Sequence, residues 1–295
     1  MRLLICIIFL SSSPLWARKT WKSKGSSEKE AIEIVLKAIS KSSTGQKLIE
    51  AAKGRAKELG GELIDFISGS SKSYTDTTLV RRFKPHHPDQ IEYRTKSVVY
   101  LDNDLGQVEA ILDLSHELTH FTYRTPFNPY NEKFKPGRFI ASTIEGRGGE
   151  VDAYLTECRI LEELFSVKVK GRFQCGQIKD PKSGQLSRRQ AIKRFYQMGH
   201  HIKEFRKKIA KHGIDESKIE EISADQAMFY SSAYGVPYPV AALEEFEWVK
   251  EKVCNNDERR IELISHSFDT SDDNIKRTLS DLKSSYLKRC SETTL

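Results

Sequence analysis

The pentapeptide His116-Glu117-Leu118-Thr119-His120 constrains this chain more than any other feature. It lies in the stretch 107–122, whose apolar residues recur at three- and four-residue spacings, and this pattern predicts an amphipathic helix. Side chains at positions i and i+4 share one face of a helix, so the imidazoles of His116 and His120 can reach the same metal ion. Glu117 follows the first imidazole directly and can contact a water molecule at that ion without binding the ion itself.

The context of the pentapeptide agrees with a metal site. The preceding segment 97–101 is a run of β-branched and aromatic residues, which predicts a strand. The two histidines lie on a flank of the helical apolar stripe, where they could line a cleft. The stripe consists of Val108, Ile111, Leu114, Leu118 and Phe121.

With these residues the chain resembles the zincin metallopeptidases. The residues that follow His120 contain no nearby third histidine, which makes the metzincin branch a poor match. The gluzincin branch instead takes a glutamate from a second helix, often written E-x-x-A, and the segment 150–153 has that form. The resemblance implies that Glu150 is the third ligand, at the start of a helix predicted over 149–165. Asp152 and Glu145 are open alternatives for that role.

The resemblance also implies a fold and a chemistry. We expect an α+β protein in which a mixed sheet packs on the two metal-bearing helices. One Zn²⁺ per chain would be bound by His116, His120 and Glu150. Glu117 would act as general base on a zinc-activated water in the hydrolysis of a peptide or protein substrate.

The expected zinc site also needs residues that orient its ligands and stabilise its intermediate. Asp113 and Asp152 are candidates to accept a hydrogen bond from a ligating imidazole. A tyrosine or histidine beside the ion would stabilise the anionic intermediate. We select Tyr234, which precedes a Gly-Val-Pro turn. The open alternatives are Tyr230, Tyr238 and the pair His200-His201.

The N-terminus reads as an export signal. Residues 1–17 have a short positive start, an apolar run of eight residues and a breaker-rich end with Ala17 at the expected cut. The run is too short to span a bilayer, so we expect no stable membrane insertion. We therefore predict a periplasmic or secreted protein, with residues 18–28 as a polar tether.

Four cysteines remain after the signal is removed, which allows three disulfide pairings. We favour Cys158–Cys175 with Cys254–Cys290, because this pairing joins neighbouring elements through short loops. The alternative is that some of the four are buried thiols, since Cys158 lies on the apolar stripe of the second helix.

Charge narrows the possible partners. The chain has 48 Lys and Arg against 41 Asp and Glu, a net charge of +7, scattered rather than gathered into one arm. No nucleic-acid-binding module is recognisable. The basic excess is compatible with a cell-wall-associated substrate. Two other functions therefore stay open: a zinc amidase acting on peptidoglycan stem peptides, and a non-catalytic zinc-binding protein.

The mature length permits one large domain or a catalytic unit with a helical subdomain. We favour the second arrangement, with the zincin-like catalytic domain that the resemblance implies over 29–170 and a helical subdomain over 171–295. Strands are predicted over 62–67, 78–83 and 90–93. In the second part we predict one long helix from Ile192 to Ile209. Further helices are predicted over 224–232, 240–254, 258–265 and 273–287. The loop 124–138 lies beside the motif helix and is a candidate lid.

Overall fold

The computed structural model describes residues 19–84, 87–131, 134–171, 173–211, 222–268 and 271–290. The expected signal peptide, residues 1–17, lies outside this part of the chain. Within it the strands are β1 (Ile67–Ser70), β2 (Tyr74–Lys84) and β3 (His87–Asp102). The helices are α1 (Glu28–Ile39), α2 (Ser43–Glu58), α3 (Gln107–Tyr123), α4 (Pro136–Ile144), α5 (Glu150–Leu164), α6 (Val167–Lys170), α7 (Arg188–Phe195), α8 (Ile202–Lys211), α9 (Tyr238–Ser267) and α10 (Asp273–Cys290).

The sheet is mixed, as predicted, with strand order β1-β3-β2. Strand β1 runs parallel to β3, with Ile67 opposite Val99, and β2 runs antiparallel to β3, with Tyr74 opposite Tyr100. The predicted strand over 62–67 is wrong. Residues Leu63–Phe66 form a 3₁₀ turn instead, because the N–H of Glu62 donates to the Asp65 carboxylate in a reciprocal cap.

The motif helix α3 lies at the centre of the fold and packs against β3, α2 and α5. Its apolar stripe is buried, as the spacing predicted, at Ile111, Leu114, Leu118 and Phe121. Helix α5 buries Val151, Leu155, Cys158 and Leu161. Burying each such side chain contributes roughly 1.5–3 kcal/mol, so the α3–α5 contact is a firm base for the side chains it carries.

The predicted tether at 18–28 is not a free segment over the residues that are described. Trp21 is fully buried in the core, and its indole N–H donates to the carbonyl oxygen of Asp102 at 2.7 Å. Helix α1 begins at Glu28, where the side chain of Ser27 accepts from the N–H of Glu30. The burial of Trp21 and its hydrogen bond therefore hold this otherwise polar segment against the domain.

The long helix predicted from Ile192 to Ile209 is two helices, α7 and α8, with a break between Tyr196 and Gly199. Gly199 has φ +54°, which ends regular helix geometry. The backbone in the break bonds sideways instead: Met198 N–H donates to Ser223 and Ser223 N–H donates to Tyr196. The apolar spacing continues across the break, which is why periodicity alone did not detect it.

The helix predicted over 224–232 is wrong. This segment is extended, with an isolated bridge between Tyr230 and Pro237 and a tight turn at Gly235. Conversely, the two helices predicted over 240–254 and 258–265 are one continuous helix, α9. Asp257 in the presumed gap is fully buried between Arg81 and Arg289, so tertiary contacts override the low helix propensity there.

Both favoured disulfides, Cys158–Cys175 and Cys254–Cys290, are present. One hydrophobic core runs from Trp21 to Phe246, so core residues of the predicted catalytic part and of the helical part are contiguous. The boundary placed at 170–171 stays a prediction. None of the helices described is both long and apolar enough to cross a membrane.

Candidate metal centre

Helix α3 directs two imidazoles toward one point. The ring centroids of His116 and His120 are 4.9 Å apart, as expected for residues one helical turn apart. His120 is 5 % exposed, and His116 is only partly exposed. Both rings face away from the buried apolar stripe, toward the first turn of α5.

Glu150 is the first residue of α5 and completes the group. Its Oε2 lies 3.4 Å from Nε2 of His116, and its Oε1 lies 3.6 Å from Nε2 of His120. One possible ligand atom from each of the three residues lies within 4.8 Å of the other two. The three predicted ligands are therefore brought together, and the cluster could hold a metal ion.

The other nitrogen of each imidazole has a hydrogen-bond acceptor. Nδ1 of His120 donates to the carbonyl oxygen of Gly148 at 2.8 Å, and Nδ1 of His116 donates to Oε2 of Glu157 at 3.2 Å. Because a carbonyl and a carboxylate only accept, both rings carry their proton on Nδ1 when neutral. The Nε2 lone pairs then face Glu150, which is the arrangement that a metal ion needs.

Gly148 can fulfil this role only as glycine. Its φ is +68°, and a Cβ added there would lie 2.5 Å from the backbone nitrogen of Arg124. The turn before α5 therefore packs directly on the end of α3. This close approach is what carries the Gly148 carbonyl to His120.

The two alternative third ligands have other partners. Asp152 accepts from the N–H of Gly148 at 2.9 Å and forms an ion pair with Arg188. Glu145 accepts from the hydroxyl of Tyr196 at 2.8 Å. Both carboxylates are thus engaged by other residues, and neither belongs to the group of possible metal ligands.

Asp113, the other candidate partner for an imidazole, lies one turn before His116 on α3. Its side chain bonds Ser73 rather than a histidine. Burial, opposed by that hydrogen bond, raises the pKa of Asp113 to about 6, with the Glu157 carboxylate adding to the increase. The residue that contacts His116 is therefore Glu157, not Asp113.

Strand β2 fixes Glu117. The hydroxyl of Thr75 lies 2.7 Å from Oε2 of Glu117 and 2.9 Å from its backbone oxygen. Glu117 is 8 % exposed and adjoins the cluster without being part of it. The carboxylate is thus held beside the metal-binding atoms and keeps its second oxygen available.

The tyrosine at the cluster is Tyr238 rather than the selected Tyr234. Tyr238 is the first residue of α9, and its hydroxyl is within hydrogen-bonding reach of the Glu150 carboxylate. Burial, together with the charges of Glu150 and Glu117, raises the pKa of Tyr238 well above its usual value. Its hydroxyl therefore stays protonated and can donate. Tyr234 is 45 % exposed and is influenced by Glu245 and Glu244 instead.

The other candidates named from the sequence make contacts with residues outside the His116, His120 and Glu150 cluster. His200 and His201 stack on each other with centroids 4.0 Å apart. Tyr230 is 44 % exposed and takes part in the bridge to Pro237.

The cluster is a strongly coupled group of charges. Burial alone would lower the pKa of His116, but hydrogen bonds to Glu150 and Glu157 outweigh it and raise that pKa well above its usual value. Burial alone would raise the pKa of Glu150, but His120 and His116 outweigh it and hold the pKa well below its usual value. The carboxylates around His116 and His120 thus stabilise positive charge at the point where the three side chains meet.

A cleft that begins at Thr75, the residue bonded to Glu117, lies between the edge strand β2 and helix α9. It has a volume of about 380 Å³ and runs from Thr75 past Glu245 and Trp248 to Asn256. Residues of the predicted lid, Arg124–Tyr130, form part of its wall. We refer to this space as the β2–α9 cleft.

The donor set fits a divalent transition metal. Two neutral imidazole Nε2 atoms and one carboxylate are ligands that zinc accepts in sites with an open position. Among the residues described, the group has three members and no fourth ligand closes it. The same donors also suit other first-row metals, so the residues alone do not select zinc.

No protein-family model, curated protein or solved structure matches this chain. The zincin resemblance therefore rests on the motif residues and their geometry.

Two contributors, Thr75 and Glu157, were missed in the sequence, and Tyr238 was named only as an alternative to Tyr234. Glu157 had a usable signal, since it lies seven residues after Glu150 and so on the same face of α5. Tyr238 was only one of several open tyrosines. Thr75 had no local signal, because its contact depends on how β2 lies over α3.

Proposed function

We propose that this chain is a zinc-dependent metallopeptidase of the gluzincin type. The observation that carries the proposal is the convergence of His116, His120 and Glu150, with the Glu117 carboxylate held beside them by Thr75. A purely structural metal site needs ligands but neither an adjacent base nor an open position. The cleft beside Thr75 runs along the edge strand β2, where an extended peptide could add to the sheet.

Each residue has a role in this proposal. His116, His120 and Glu150 would hold Zn²⁺, which when bound lowers the pKa of a water and polarises a carbonyl group. Glu117 accepts the proton of the attacking water and later delivers it to the leaving amine. The protonated hydroxyl of Tyr238 donates a hydrogen bond to the oxygen that becomes negative during attack.

The surroundings keep these groups in position. Glu157 and the Gly148 carbonyl hold the imidazoles in the tautomer that leaves Nε2 free. Thr75 restricts Glu117 to the rotamer that faces the cluster. We also propose that the protein is exported, since the sequence of residues 1–17 and the two disulfides suit an oxidising compartment.

The test is the Glu117→Gln variant of the mature chain. Metal content is measured by elemental mass spectrometry, and hydrolysis is measured by mass spectrometry on a library of peptides. We expect one zinc per chain in both proteins and at least a hundredfold lower turnover in the variant. Glu50→Gln, at an exposed position of α2, is the matched control and should behave as wild type.

The outcomes separate the alternatives. A Glu117→Gln protein with full turnover would contradict the mechanism. Hydrolysis of peptidoglycan stem peptides but of no library peptide would favour the amidase. Stoichiometric zinc without hydrolysis of any substrate would favour a non-catalytic binding protein.

A further inference from the structure

A second concave surface adjoins the β2–α9 cleft and is rich in arginine. One cavity of about 520 Å³ is lined by Arg55, Tyr123, Arg124 and Arg147. Another of about 270 Å³ is lined by Tyr123, Arg147, Arg159 and Arg188. The two cavities share Tyr123 and Arg147 in their linings, so they are neighbours on this surface. We call this surface the basic groove, made by Arg55, Tyr123, Arg124, Arg147, Arg159 and Arg188.

Part of the positive charge in the groove is not neutralised by a carboxylate of its lining. The two carboxylates in its lining are already paired, Glu58 with Arg55 at 2.9 Å and Asp152 with Arg188. Arg147 lies over the ring of Tyr123, 5.4 Å from its centroid. Within the described part of the chain, no carboxylate pairs with Arg147 or Arg159, and both side chains are exposed.

Arg124 joins the groove to the cleft. It lines both spaces, together with Leu79, Thr125 and Pro126. Its guanidinium donates to the Thr143 hydroxyl at 3.3 Å and is electrostatically coupled to Glu245 in the cleft. A substrate peptide that lies along β2 from Thr75 would reach Leu79, which lines both spaces, and could continue from there into the groove.

We propose that the basic groove binds an acidic segment of the peptide substrate, a run of Asp and Glu that flanks the scissile bond. Guanidinium groups recognise carboxylates through paired hydrogen bonds, and the lining tyrosine, threonine and asparagine side chains add neutral donors. The continuity with β2 favours a peptide over an anionic polymer. The path of the peptide from the cleft into the groove rests on the proposed function, whereas the binding of an acidic segment to the groove does not.

The experiment measures binding apart from hydrolysis. Zinc-loaded Glu117→Gln protein is titrated into a fluorescent peptide that carries a six-residue Asp/Glu segment, and anisotropy is recorded. The comparison peptide replaces each Asp and Glu by Asn and Gln. We expect the acidic peptide to bind roughly tenfold more tightly, with the difference shrinking as salt is raised, because the groups are at the protein surface.

The groove is then tested by charge reversal. Arg147→Glu with Arg159→Glu should remove the preference for the acidic peptide. Arg259→Glu with Arg277→Glu makes the same charge change at exposed positions of α9 and α10 and should retain it. Thermal melting of all proteins verifies that the exposed substitutions leave the fold intact.

Each result has one meaning. Equal binding of the two peptides overturns the inference, and so does an unchanged preference in the Arg147/Arg159 variant. The inference is also overturned if an anionic glycan polymer displaces both peptides while the acidic peptide binds no more tightly than the neutral one. That result would identify the polymer as the partner. If acidic peptide binds in the groove but no peptide is ever hydrolysed by wild type, the proposed function fails while this inference stands.

Discussion

Nδ1 of His116 lies 3.2 Å from Oε2 of Glu157, which comes from the neighbouring helix α5. Helix α5 also carries Glu150 at its first position, so the two carboxylates bind opposite nitrogens of the same ring. One helix thus supplies a possible ligand and also orients the ligand beside it. The packing of α3 on α5 therefore sets the geometry of the centre.

Glu157→Gln should weaken metal binding. The amide has one oxygen acceptor and no charge, so it supports the basicity of His116 less well than the carboxylate does. We expect zinc affinity to fall about 10- to 100-fold, measured by competition with a chromogenic chelator. The control is Glu162→Gln, which lies on the same helix as Glu157 and whose carboxylate pairs with Lys179 outside that helix; it should bind zinc normally. Unchanged affinity in Glu157→Gln would contradict the orienting role.

Gly148→Ala should destabilise the fold and the centre together. The new Cβ would lie 2.5 Å from Arg124 N at a φ of +68°. Gly184 has the same φ but open space around it, so Gly184→Ala measures backbone strain alone. Strain of this kind costs on the order of 1–3 kcal/mol, and the clash adds to it at Gly148. Denaturant unfolding with EDTA should show the larger loss for Gly148→Ala. Equal losses would show that the close approach to Arg124 has no energetic weight.

Tyr238→Phe separates binding from turnover. The ring remains to pack, so metal content and thermal stability should stay close to wild type. Loss of the hydroxyl removes a donor to the developing negative oxygen, which typically lowers the catalytic constant by about 10²–10³. Tyr234→Phe should leave turnover within about twofold, because its side chain is 45 % exposed and away from Glu150. The reverse result would restore Tyr234 as the functional tyrosine.

Asp113 should give the metal-free protein a pH-dependent stability. Its folded pKa is raised, mainly by burial, from 3.8 to about 6, so between those values the folded state binds more protons than the unfolded state. Stability contributed by the neutral form is therefore present at low pH and is lost as pH rises toward 6. Asp113→Asn should flatten this dependence and be more stable at pH 7, by up to about 3 kcal/mol. Unfolding in EDTA from pH 4 to 7 tests this, with the exposed Asp104→Asn as control. Wild type and Asp113→Asn curves of the same shape over this range would refute the assignment.

The parts of the site that sequence predicts are those fixed by helix geometry. His116 and His120 meet because they are one turn apart, and Glu150 follows from a short motif in the first turn of the next helix. Glu157 was within reach of the same reasoning, because it lies two helical turns after Glu150 on the same helix, but only Asp113 and Asp152 were considered.

Other contacts depend on how separate elements dock. Thr75 meets Glu117 only because β2 pairs with β3 in a register that lays its start over α3. Tyr238 reaches Glu150 only because α9 begins there. Neither relationship leaves a periodic trace in the chain.

The fold predictions failed for a similar reason. The apolar spacing from Ile192 to Ile209 is helical throughout, yet Gly199 and the bridge to Ser223 divide it. In α9, the polar residues around Asp257 look like a helix end, but the buried ion pairs with Arg81 and Arg289 carry the helix through. Local propensity loses where tertiary contacts supply more free energy.

The unbroken course of α9 has a mechanical consequence. Tyr238 and Asp257 are 19 positions apart, which corresponds to about 28 Å along the helix axis at 1.5 Å per residue. Near Tyr238 the helix meets the candidate metal ligands, and near Asp257 it is bonded to β2 through Arg81 and to α10 through Arg289 and the Cys254–Cys290 disulfide. Val240, Leu243 and Phe246, just after Tyr238, are buried in the core, so this wall of the cleft is held at both places. The helix therefore acts as a spacer of fixed length between the candidate metal centre and the far end of β2.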